Sequence, residues 1–60
     1  MGYNVGDRFE QVGTGYMGLV TEVNDNEMTV DWEVMIITMA LENWDELVDN
    51  GMNKYHPAIA

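Results

Sequence analysis

The chain is predicted to fold as a mainly β domain, a small barrel of about five strands with one short α-helix near residues 43–50. Three observations lead there. Clusters of Gly, Asn and Asp cut the sequence into pieces of strand length, at Asn4 to Asp7, Gly13 to Gly15, Asn24 to Glu27, and Asn50 with Gly51. Two of the pieces alternate their side chains with the two-residue period of a half-buried strand. Only one stretch carries the apolar spacing of a helix.

The first strand is placed at Arg8 to Val12, with Phe9 as its large apolar group. The second is Met17 to Val23, where Met17, Leu19, Thr21 and Val23 share one face and Gly18, Val20 and Glu22 the other. "NDNE" follows; Asn and Asp tolerate left-handed backbone and bond their own main chain, which makes a tight hairpin. The third strand is the clearest, because Met28, Val30 and Trp32 alternate with Thr29, Asp31 and Glu33.

"VMIITMAL", residues 34–41, is apolar apart from Thr38 and has two readings. As a strand it sets Met35, Ile37 and Met39 on one face and Val34 and Ile36 on the other, so both faces begin apolar. In the other reading the strand stops near Ile37 and Thr38 caps a helix whose buried stripe is Ala40, Leu41, Trp44, Leu47 and Val48. Both make "NWDELVDNG" helical: Asn43 and Glu46 resemble a capping box, and Gly51 suits the left-handed residue beyond the helix end. Met52 to Tyr55 supplies a final strand, leaving His56 to Ala60 as a tail.

Residues 1–60 read as one domain, and a chain of this length buries only about 60% of its unfolded surface. With no cysteine for a disulfide, association is the expected supplement to so small a core. Eleven acidic residues against Arg8 and Lys54 give a net charge of -9, spread over the whole chain. Such a field repels phosphate backbones and anionic membranes, so direct nucleic-acid binding is disfavoured. No basic segment precedes an apolar run and no apolar stretch approaches a membrane span, so a soluble cytoplasmic protein with no membrane partner is expected.

"VGDRF", then "GLVTEV" with "NDNE" and "MTVDWE", is similar to the rhythm of KOW-like, Tudor-like and related SH3-like small barrels over residues 5–33. "NWDELVDNGMNKYHP" resembles the ends of short SH3-like proteins encoded by bacteriophages, which implies a host-cytoplasm location. The KOW resemblance implies nucleic-acid contact, but those domains are basic and this chain is not. The Tudor resemblance implies an aromatic cage for a cationic side chain, with Tyr16 and Trp32 as candidate members. Trp32 also falls on the core phase of its strand, beside Met28 and Val30.

"GTGYMGLV", residues 13–20, matches the glycine order of dinucleotide loops and of the protein-kinase glycine loop. A dinucleotide loop leads into a helix, whereas here a strand is expected to follow, and the kinase lysine and catalytic motifs are missing. Gly13 and Gly15 are read as loop glycines and Gly18 as a strand position that a neighbour crosses closely. Asp25, Asn26 and Glu27 lack the glycine and distal glutamate of a calcium loop. One histidine with no cysteine makes no zinc site, and the chain has neither serine nor cysteine as a nucleophile. No cofactor and no catalytic residue are assigned.

The expected function is therefore that of a non-enzymatic interaction or accessory domain. Its partner is a protein or a second copy of itself, with Val34 and Ile36 at an oligomer interface because so few elements cannot cover both faces of that run. The alternative is an acidic mimic of nucleic-acid phosphates that inhibits a DNA- or RNA-binding protein.

Overall fold

A computed structural model of the protein describes residues 2–58. It is mainly β, with strands β1 (Arg8–Gln11), β2 (Met17–Val23), β3 (Glu27–Asp31) and β4 (Ile36–Ala40), helix α1 (Leu41–Asp49) and strand β5 (Asn53–His56). All five strands are antiparallel neighbours in one sheet of order β4-β3-β2-β1-β5.

The expected barrel does not close: β4 and β5 are the two edges of the sheet. The chain leaves β4 directly into α1, and the helix packs against β3, β4 and β5, filling the place where the edges would meet. The seal is Trp44. Its indole is fully buried, stacks on Phe9 at a centroid distance of 5.7 Å, and donates from Nε1 to the Met28 carbonyl at 2.9 Å. Burying rings of this size contributes about 2–3 kcal/mol each, so Phe9 and Trp44 anchor the core.

The inner face of the sheet is built by alternation. Phe9, Val20, Met28 and Val30 are fully buried, with Tyr3, Trp32 and Trp44 completing the core. Phe9 lies opposite Gly18, and a Cβ on Gly18 would come within 2.5 Å of Val30 and 2.9 Å of the Trp32 ring. The absent side chain is what admits Trp32.

In β2 the alternation is broken once. The pairing with β3 shifts between Val20 and Glu22, so Thr21 is an extra residue, and Val23 joins Val20 on the inner face opposite Met28. A bulge of this kind bends its strand and increases the twist. The hairpin after β2 is the expected one: Asn24 Oδ1 accepts from the Asn26 and Glu27 amides, each at 2.8 Å.

The third strand ends at Asp31, earlier than its alternation predicts. Residues Trp32 to Met35 form a tight turn, in which the Trp32 amide donates to the Met35 carbonyl at 2.8 Å and Asp31 Oδ1 accepts from the Glu33 amide at 2.9 Å. Glu33 has φ 72°, a left-handed backbone that an L side chain adopts at a cost. Val34 therefore lies in a turn and not in a strand.

The helix begins between its two predicted starts, at Leu41, with Ala40 as N-cap and no side-chain cap; the Asn43 capping box is not formed. At its other end Gly51 has φ 82°, as expected, and its amide donates to the Val48 carbonyl. His56 belongs to β5 and lies opposite Arg8; of the expected tail, Pro57 and Ala58 follow the strand, and residues 59 and 60 lie outside the described residues.

Two tyrosine–carboxylate pairs tie the ends of the chain to this body. Tyr3 Oη donates to Asp45 of α1 at 2.5 Å, and burial together with that carboxylate raises its pKa well above the ordinary phenol value. Tyr55 Oη donates to Asp7 at 2.6 Å, and burial with the same kind of bond pushes its pKa up to about 12. Asp7, 1% exposed, also accepts from the amides of Asn4 and Ala58, each at 2.8 Å. Burial alone would raise the Asp7 pKa, but the bonds from Ala58, Tyr55 and Asn4 outweigh it and hold the carboxyl below its ordinary value.

A folded-state pKa below the unfolded one means that Asp7 contributes stability above the ordinary carboxylate range, lost as pH falls through that range. Urea denaturation from pH 7 to pH 2.5 should show this loss, and Asp7→Asn should be less stable at pH 7 with a flatter acid dependence. Gly18→Ala should cost about 2 kcal/mol in the same assay, because Val30 and Trp32 must both shift.

Candidate functional site

The unclosed side of the sheet is also where the surface is hollow. The larger of two adjoining clefts, 530 Å3, lies between Ile37 and Met39 of β4, Gln11 at the end of β1 and Asn53 of β5. Trp44 and Leu47 of the helix form its floor and flank, with Val12 and Met52 at the rim. The smaller, 160 Å3, is lined by Tyr16, Trp32, Val34, Met35, Ile37 and Gln11. Gln11, Trp32 and Ile37 belong to both, so the two hollows form one furrow. None of its lining residues is charged, although the chain carries eleven acids.

Each wall is set by local backbone chemistry. Tyr16 is presented by the loop between β1 and β2, where the Gln11 amide donates to the Tyr16 carbonyl at 2.8 Å and Thr14 Oγ1 bonds Gln11 Oε1 at 2.6 Å. Gly13 and Gly15 make that loop possible with φ of 98° and 77°. The glycine pattern thus opens into strand β2, and Gly18 has a core role. Val34 and Met35 are carried on the opposite wall by the turn after β3, with 69% and 56% of their surface exposed.

The two predicted aromatic residues meet in this furrow, but unequally. Tyr16 is 53% exposed, whereas Trp32 is 8% exposed because its ring lies over Gly18 and in the core. The hollow thus has one open aromatic face and an apolar floor; two open rings facing a cation are not formed. Val34 lines the same hollow as Tyr16 and Trp32. Ile36 does not: it pairs with Asp31 on the outer face of the sheet and is 69% exposed.

Sequence reasoning did not single out Met35, Ile37 or Gln11 as site residues. Ile37 was legible as the inner phase of its strand, but the furrow exists only because the turn at residues 32–35 lifts Val34 and Met35 to one side of it.

Elsewhere the surface offers little chemistry. Among the described residues no group of three or more His, Asp or Glu side chains is placed to hold a metal ion, and His56 Nε2 lies 3.3 Å from Glu10 Oε1. Every buried side-chain nitrogen and oxygen among the described residues has a hydrogen-bond partner. No helix among the described residues is long and apolar enough to cross a membrane. No family model, no curated protein and no solved structure matches the chain.

The roles of the two aromatic residues separate by stability. Tyr16→Ala should leave the urea midpoint within about 0.5 kcal/mol of wild type, as for an exposed side chain. Trp32→Ala should cost about 3–5 kcal/mol through the cavity it leaves.

Proposed function

We propose that the protein is a non-enzymatic interaction domain that binds another protein through the furrow lined by Tyr16, Val34 and Met35. The observation that carries this reading is an uncharged, aromatic-walled hollow on a body of net charge -9. Monomeric surfaces seldom expose contiguous apolar ground without a use for it. Here Tyr16, Val34, Met35, Val12 and Met52 stand exposed around one hollow region.

The chemistry of the partner follows from the contrast. The hollow takes one or two apolar side chains, and the net charge of -9 on the body as a whole favours lysine or arginine on either side of them. A basic segment is steered in from a distance by the whole charge, then held by desolvated contacts at the floor. Large aromatic residues at the edge of such a pocket are the usual energetic anchors, which assigns that part to Tyr16.

The phosphate-mimic reading shares the charge but not the hollow. A mimic would hold its partner through carboxylates alone, and binding would ignore the furrow.

A fluorescein-labelled peptide with one Phe flanked by lysines tests the proposal by anisotropy. Binding should weaken about fivefold or more in Tyr16→Ala, the effect of losing roughly 1 kcal/mol, and fall further in Val34→Asp. Raising salt should weaken it as well, through screening of the steering charge. Binding that responds to salt but is unchanged in both variants would move the reading to the mimic.

A further inference from the structure

We infer that the larger hollow of the furrow reads an uncharged peptide group of the bound segment, through the side-chain carboxamide of Asn53. The inference rests on the furrow as a peptide site and adds the group that a second stretch of the partner must present.

Asn53 is out of place by type. Asparagine is depleted in strands. Asn24 and Asn50 bond the backbone of their own turns, and Asn4, Asn26 and Asn43 are exposed. Asn53 instead lies in β5 at 5% exposure. Its strand phase turns it inward: Phe9 and Tyr55 face each other on the core side, and the pair two residues along is Gln11 with Asn53. The Val12 amide donates to the Met52 carbonyl, so Gln11 and Asn53 form the kind of pair without mutual backbone bonds, whose side chains come closest. Both line the 530 Å3 hollow.

What Asn53 lacks is a partner. Its carboxamide makes no hydrogen bond among the described residues, where every fully buried side-chain nitrogen and oxygen has one. Its oxygen and nitrogen are therefore the atoms that still reach the hollow, although the residue around them is enclosed. Trp44 cannot serve them, since its Nε1 is committed to the Met28 carbonyl. Gln11 is half engaged: its Oε1 accepts from Thr14 Oγ1, which leaves Nε2 to donate beside Asn53.

The chemistry of the ligand follows from these groups. A carboxamide presents acceptor and donor side by side, and the group that meets one of each is another amide. A carboxylate or an ammonium entering this hollow would give up its water with no opposite charge in the lining. The source is the partner's main chain. The two hollows share Gln11, Trp32 and Ile37, so a segment anchored at Tyr16 continues across Gln11 toward Asn53. An extended chain supplies a peptide group about every 3.3 Å along that path, whatever its side chains. Against walls of Ile37, Met39 and Leu47 such a group needs a polar partner, and Asn53 provides it.

A carboxamide without a partner adds nothing to the fold, so Asn53→Leu, close in size and apolar, should keep or raise the urea midpoint. The same variant should bind the fluorescein-labelled peptide about fivefold more weakly, the effect of one lost hydrogen bond. Peptides N-methylated at one main-chain nitrogen at a time locate the group that is read. One of them should lose about fivefold on wild type and nothing further on Asn53→Leu. Without any labelled peptide, N-acetyl-leucine N-methylamide should shift the Asn53 side-chain amide signals saturably in NMR spectra of isotope-labelled wild type. That readout stands even where Tyr16→Ala leaves peptide binding untouched, so the two readings fail separately. Asn53 signals that stay fixed overturn the proposal, and so does an Asn53→Leu variant that binds every peptide as wild type does. Loss of stability in both Asn53→Leu and Asn53→Val would make the carboxamide a support of the fold and overturn it as well. Coupling to Asn53 seen only with a peptide carrying Asn in place of a lysine would overturn the main-chain assignment.

Discussion

The buried indole of Trp44 is the contact on which the arrangement depends. A five-stranded sheet that bends without closing leaves its inner face open along one side, and the polar groups and rings there need a cover. Trp44 provides it in two ways, by stacking on Phe9 of β1 and by donating to the Met28 carbonyl of β3. One side chain thus bridges two strands that are not neighbours in the sheet. The helix that carries it has no side-chain cap and runs only nine residues, too short to be stable alone. Its stability comes from the sheet, and the sheet's cover comes from it.

The abundance of acids gains an internal use from the same scarcity of elements. Two carboxylates, Asp7 and Asp45, accept from buried or half-buried tyrosines of the chain's two ends. Both rings lie in one aromatic cluster, since Tyr3 sits 5.2 Å from Tyr55 and 5.6 Å from Phe9. The beginning and the end of the chain are held by the same group of rings. In a protein with no disulfide, this cluster adds to the β1–β5 ladder and the Ala58–Asp7 bond that join the two segments.

Much of the fold was legible in periodicity. The bounds of β2, the hairpin at Asn24 to Glu27, the inner phase of Met28 and Val30, and the close passage at Gly18 all follow from alternation and turn chemistry. What escaped was set by geometry that leaves no compositional mark. The turn at Trp32 to Met35 contains no Gly, Asn or Pro, and is held by an aspartate one residue before it. The helix start stayed open between Thr38 and Asn43 because neither candidate cap decides it: the helix begins at Leu41 with no side-chain cap, where packing draws Leu41 inward. Closure of the barrel could not be judged from strand count, since it depends on whether a helix occupies the seam. The furrow shares this origin: Tyr16, Trp32 and Val34 were visible singly, but their meeting required the unread turn.

The bulge in β2 has a further meaning for how this chain stores its shape. Removing Thr21 from the count would leave Val20, Glu22 and Val23 in plain alternation, each on the face it now occupies. Thr21 can thus be dropped from β2 without moving a neighbour to the wrong side. Its contribution is curvature. A single supernumerary residue, unremarkable in type, adds local bend and twist to the strand beside the core. Shape here is written in residue number, and two sequences with the same pattern of polarity but one residue fewer would describe a flatter molecule.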